Sequence, residues 1–204
     1  MKKVQILAFL AFISMYSFAQ GASEMMSKLI NEGKLSERTG NYKEAEEAYM
    51  SALTIDSNSA EVHVLLGKLY HSTNNYNLAA KELDKAIELD AHNADAYFVR
   101  GNLNTDLGNN NLAVSDYTLA IQNDPALMEA YMRRGFVSAQ MGLYENATKD
   151  FAIAIQVDRE EAIAYYNFIR IQGAEMLQNN CTYAQSQVSL GNAQADLVIS
   201  TFCF

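Results

Sequence analysis

The feature that most constrains this chain is a recurrence at 34 residues. Gly33, Gly67, Gly101 and Gly135 stand 34 apart, and so do Ala45, Ala79, Ala113 and Ala147. The same interval separates Ala52, Ala86, Ala120 and Ala154, and again Asp56, Asp90, Asp124 and Asp158. Other columns keep a size class instead of an identity: Tyr49, Leu83, Tyr117 and Phe151, then Leu53, Ile87, Ile121 and Ile155. A fixed period of this length marks a stack of small units, none of which buries its apolar face alone.

Each column has a physical reason. The glycines and alanines predict places where two helices approach closely, since a larger side chain would hold the backbones apart. The large column is expected to fill the space between one helix pair and the next. Gly40, Asn74, Gly108 and Gly142 fall where each first helix should end, closed by a left-handed residue. Tyr42, Tyr76 and Tyr144 are expected to open the second helix, with Asn110 breaking that column. Pro125, the one proline, marks the turn leading into the fourth copy. A length of 204 residues suits one ordinary domain.

The pattern resembles the tetratricopeptide repeat family, whose unit is a 34-residue helix–turn–helix. The third copy is nearest to the family pattern, with Tyr97, Gly101, Leu107, Gly108, Ala113, Tyr117, Ala120 and Pro125. The first departs most, with Leu29 in place of the tyrosine and Ser36 in place of a large residue. The resemblance implies an all-α fold, a right-handed α-solenoid of helix hairpins with a C-terminal helical cap. Four repeats are expected over 26–159, at about 26–59, 60–93, 94–127 and 128–161. Residues 20–25 form an N-terminal segment, and 160–204 hold a fifth first helix and the cap.

Residues 1–19 read as a secretory signal peptide. Lys2 and Lys3 precede an apolar stretch from Val4 to Phe18, and Ser17 and Ala19 offer the small residues a signal peptidase reads, with cleavage before Gln20. A retained anchor is the competing reading, but the apolar run is short for a span and no basic stop signal follows. The expectation is an exported chain, periplasmic or secreted, with no integral membrane insertion after removal of the signal. Loss of Lys2 and Lys3 takes the formal charge from −9 to −11, which argues against nucleic acid as a partner.

The chain shows no catalytic constellation, no cofactor motif and no metal motif. His63 and His71 lie eight apart, too far to hold one ion, and the glycines belong to the repeat. An enzyme is not expected. Arg100 and Asp116, sixteen apart like Arg134 and Asp150, are expected to pair across a hairpin, each exposed pair contributing about 0–1 kcal/mol. Asn146-Ala147-Thr148 and Asn180-Cys181-Thr182 match the glycosylation sequon.

In the resembled family the first helix of each pair lines a concave groove for a protein or peptide segment. Its positions here are Ile30, Val64, Phe98, Met132 and Tyr166, with Lys68, Asn102, Phe136 and Arg170 one turn on. The stripe either takes a partner or packs between neighbouring helices, and periodicity does not separate the two. Ile30 and Lys34 do not reproduce the family's carboxylate clamp. At the C-terminus, Asn179 and Asn180 are expected to break a helix. Two short helices should follow, about Cys181 to Ser189 and Ala193 to Phe202, turning at Gly191-Asn192. Their antiparallel packing would bring Cys181 to Cys203 as a disulfide in an oxidising compartment.

Overall fold

A computed structural model describes residues 2–188 and 191–203, with side chains from Gln20 onward except those of residues 165, 168–174 and 176. The side chains of the expected signal segment, Arg170 and the expected helix end at Ser189 therefore lie outside the described residues. Every described element is an α-helix, and the fold class is all-α, a solenoid type built from one repeating hairpin. The chain divides into two compact units, one ending at Leu89 and the other beginning at Asp90.

The first unit holds α1 (Lys2–Arg38), α2 (Tyr42–Ile55), α3 (Ala60–Ser72) and α4 (Tyr76–Leu89). They pair as two hairpins, α1 with α2 and α3 with α4, and α2 packs on α3. The second unit holds α5 (Ala94–Asp106), α6 (Asn110–Asn123), α7 (Met128–Gln140), α8 (Tyr144–Val157), α9 (Arg159–Val188) and α10 (Ala193–Phe202). Here α5 pairs with α6 and α7 with α8, while α9 and α10 close the far side against α7 and α8. No helix among the described residues is long and apolar enough to cross a membrane.

One local design serves all four hairpins. The first helix ends on a left-handed residue, Gly40, Asn74, Gly108 or Gly142, with φ of 78°, 60°, 74° and 75°. The second helix begins two residues later, at Tyr42, Tyr76, Asn110 and Tyr144. The aspartate column turns out to close the loop after each hairpin. Asp56, Asp90 and Asp124 each accept a backbone N–H two residues on, at 2.9, 3.0 and 3.0 Å, and Asp158 accepts from Glu161 N.

The glycine column is set by packing. Alanine is favoured over glycine inside a helix by about 1 kcal/mol, yet all four copies keep glycine. A Cβ on Gly67 would meet Leu83 at 2.6 Å, one on Gly101 would meet Tyr117 at 2.6 Å, and one on Gly135 would meet Phe151 at 2.8 Å. Gly33 faces Tyr49 in the same way. The large column thus sits first inside its own hairpin, over the glycine, and only secondarily reaches the next pair. Phe151 does both, meeting Tyr166 of α9 edge-on at 5.8 Å. Both alanine columns are fully buried.

The C-terminal end departs from expectation. Asn179 and Asn180 lie within α9 and do not break it. Asn180 is buried, and its amide donates to the Tyr144 carbonyl at 3.1 Å and the Thr148 hydroxyl at 3.0 Å. A tertiary partner has replaced the local backbone competition that makes asparagine a helix breaker. The reversal comes earlier. The Tyr166 hydroxyl lies 3.8 Å from Cys181 Sγ, whereas a sequence separation of fifteen would span about 22 Å of straight helix. The chain therefore folds back between these two residues. The expected helix from Ala193 is present, capped by the Asn192 side chain, and Cys181 is bonded to Cys203.

Candidate functional site

The first helices carry the positions read as a groove. In the first unit Ile30 on α1 and Val64 on α3 are buried, and Lys68 is half-exposed. Lys34 bridges to Glu61 at 3.2 Å, and Glu37 is held by the Tyr49 hydroxyl at 2.9 Å. In the second unit Met132, Phe136 and Tyr166 belong to the core, together with Phe151, Leu177, Val198 and Phe202. Phe98 is half-buried, its ring 6.0 Å from that of Tyr117, and Asn102 accepts a hydrogen bond from the Tyr117 hydroxyl at 2.9 Å.

The apolar stripe is therefore packed at five positions, Ile30, Val64, Met132, Phe136 and Tyr166. The cause differs along the chain. Within the second unit the refolded end of α9 and α10 join the same core as Met132, Phe136 and Tyr166. What stays reachable is Phe98 with Asn102 beside it, and separately Lys68 in the first unit.

The expected ion pairs form, with a different weight. Arg134 clasps Asp150 through Nε at 2.9 Å and Nη2 at 2.7 Å, and its Nη1 donates to Thr118 at 2.9 Å. Arg100 makes the matching fork on Asp116, with Nη2 at 2.7 Å, and Asn104 adds a bond at 2.9 Å. These are not exposed pairs, because Asp116 and Asp150 are only 4% and 5% accessible. Burial pushes the Asp150 carboxyl above the usual range, and the Arg134 bonds oppose that rise.

Sequence reasoning missed the second hairpin's version. Glu82 stands in register with Asp116 and Asp150, but Leu66 occupies the arginine position. The partner is instead His63, whose Nδ1 lies 2.7 Å from Glu82 Oε2. Its Nε2 faces the Ser57 carbonyl at 3.3 Å. The signal was available as a carboxylate column 34 residues apart, but the contact crosses nineteen residues, not sixteen. Two tyrosines were missed as well. Tyr70 donates to Glu46 at 2.6 Å, and burial together with these carboxylates pushes Tyr49 and Tyr70 well above the ordinary phenol range.

Among the described residues no three His, Cys, Asp or Glu side chains converge as metal ligands. A cleft of about 390 Å³ lies over α6, α7 and α8 beside Arg134, Ser138, Lys149 and Asp150. Its charges are already engaged, Arg134 by Asp150 and Lys149 by Glu145 at 2.6 Å.

Tetratricopeptide repeat family profiles match residues 38–103 and residues 94–127. No curated protein matches the chain significantly. Among solved structures, MamA is 25% identical over 83% of this chain and 90% of that one, with a TM-score of 0.60. The pilF protein of Pseudomonas aeruginosa is 21% identical over 86% and 97%, at 0.64. YrrB, a TPR protein with an unusual peptide-binding site, is 22% identical over 85% and 84%, at 0.58.

Proposed function

Because this chain is a member of the tetratricopeptide repeat family, we propose that it is a non-catalytic module that holds a protein or peptide partner in the cell envelope. The observation that carries the reading is Phe98. It keeps partial exposure on α5 while its stripe neighbours Met132, Phe136 and Tyr166 are buried, and the polar Asn102 lies one turn away. A half-exposed aromatic ring beside an amide is the kind of anchor at which a peptide side chain docks. YrrB, of similar fold, has a peptide-binding site. In the first unit Lys68 holds the register position of Asn102.

Export is supported by two independent features. The first nineteen residues have the signal-peptide order, and the Cys181–Cys203 bond suits an oxidising compartment. N-terminal sequencing of the chain recovered from the envelope should begin at Gln20, and an intact N-terminus would contradict removal.

A partner-binding chain should capture protein from envelope extract, and Phe98→Glu should abolish capture with helical circular dichroism unchanged. Met132→Glu does not serve this test, since Met132 is 0% exposed and the variant would bury a charge. Unaltered capture by the Phe98 variant refutes the assignment. The second reading is a purely structural repeat protein without a groove ligand. The five packed stripe positions favour it, and an absence of any specific capture would select it.

A further inference from the structure

We propose that α10 is a redox-latched internal ligand, whose release opens a helix-binding seat on α8 and α9. The proposal goes beyond the groove reading, because the seat is built on Phe151 and Tyr166 and its occupant is the chain's own α10.

Three observations converge on it. First, α10 is only ten residues long and presents Ala195, Val198 and Phe202 to the core, at spacings of three and seven. That is the spacing by which an amphipathic helix lays its apolar face into a groove. Second, the anchor at its end sits on a preformed aromatic corner. Phe202 stacks on Tyr166 at 4.1 Å with the rings 3° from parallel, and meets Phe151 edge-on at 6.0 Å. Tyr166 and Phe151 also contact each other, so the corner comes from α8 and α9 alone. Third, the bond that holds α10 is asymmetric in access. Cys181 is 4% exposed, whereas Cys203, just past the end of α10, is half-exposed.

The chemistry of release follows from that asymmetry. A thiolate of a dithiol reductant attacks the accessible Cys203 sulfur, forming a mixed disulfide and breaking the bond to Cys181. The Cys181 sulfur leaves as a thiolate beside the Tyr166 hydroxyl, 3.8 Å away, and takes up a proton. The second thiol of the reductant then displaces Cys203, which is released as a thiol. Two electrons and two protons have passed to the cysteine pair, and the reductant has become a disulfide. Once freed, α10 is attached only through the turn at Gly191, whose φ is 80°. The seat then accepts a helix carrying small, β-branched and aromatic residues at the same spacing.

Hydrogen exchange on the full chain, oxidised and after dithiothreitol, reads the latch directly. Amides of residues 193–203 should lose protection by on the order of a hundredfold on reduction, the size expected from releasing a loop of this length, while α5 to α8 stay protected. A labelled peptide with the sequence of residues 192–203, carrying Cys203→Ser, should bind the reduced chain at least tenfold more tightly than the oxidised one. Unchanged protection of α10 after reduction overturns the latch. Loss of protection through α5 to α8 as well would make the bond a staple for the whole unit, and would overturn it too. Release of α10 without peptide binding sinks the seat.

Discussion

The ring of Tyr117 occupies the space where Gly101 has no side chain, so a Cβ there would stand 2.6 Å from Tyr117 Cε1. The same relationship recurs with leucine at Gly67 and phenylalanine at Gly135, which makes it the unit of construction of the fold. Gly101→Val should therefore destabilise the second unit by about 1–3 kcal/mol through overpacking, even though it removes a poor helix former. Gly101→Val combined with Tyr117→Ala should recover part of that loss, because the clash is shared between the two. Urea unfolding monitored at 222 nm checks both.

Removing Arg134 should cost more than its partial exposure suggests. Asp150 would remain buried with its carboxylate deprived of the fork, and breaking such a pair costs about 3–5 kcal/mol in a fully buried site. The Arg134 side chain is 21% exposed, which reduces the expected loss for Arg134→Leu to about 2–4 kcal/mol. The pair Arg134→Leu with Asp150→Leu should recover most of it, as measured in a double-variant unfolding cycle.

Tyr49 and Tyr70 predict a loss of stability in alkali. Burial and the neighbouring carboxylates Glu37 and Glu46 raise both phenols above their ordinary value of 10.0. The unfolded chain releases these protons from about pH 10 upward, while the folded chain retains them. Stability present below that pH is then lost as pH rises, by up to about 1.4 kcal/mol per pH unit for each residue. Thermal melts between pH 8 and 11 should show the decline, and Tyr49→Phe with Tyr70→Phe should flatten it.

Much of this fold was legible because its determinants are single-residue size classes. A glycine opposite a large side chain, and a left-handed Gly40, Gly108 or Gly142, recur at a spacing that the chain itself displays. The aspartate column was visible, but its use was not, since a side chain accepting a loop N–H leaves no periodic trace. His63 escaped for a related reason: with Leu66 in the arginine position, the partner of Glu82 comes from another turn of α3. At Asn180 local preference pointed to a break, and only the Tyr144 carbonyl and the Thr148 hydroxyl decide otherwise. The groove was the least legible part. An apolar stripe has the same period whether a partner or the protein's own helix covers it, and at Tyr166 the cover is Phe202.

Asn180 supplies a further check on the refolded end. Asn180→Ala should cost about 1–2 kcal/mol, because the Thr148 hydroxyl and the Tyr144 carbonyl lose a buried donor. The Asn180 sequon should also carry no glycan on the folded chain, since its amide is buried and engaged. Thermal unfolding and intact-mass measurement on secreted protein test these two outcomes.

The claim that this repeat protein holds a partner at Phe98 is tested most directly by site-specific photocrosslinking. A benzophenone amino acid in place of Phe98, in cells exporting the full chain, should yield a discrete adduct with another protein. The same probe at Leu78 and Leu112, both exposed on second helices, should yield none. Adducts from Leu78 and Leu112 with none from Phe98 would contradict the account.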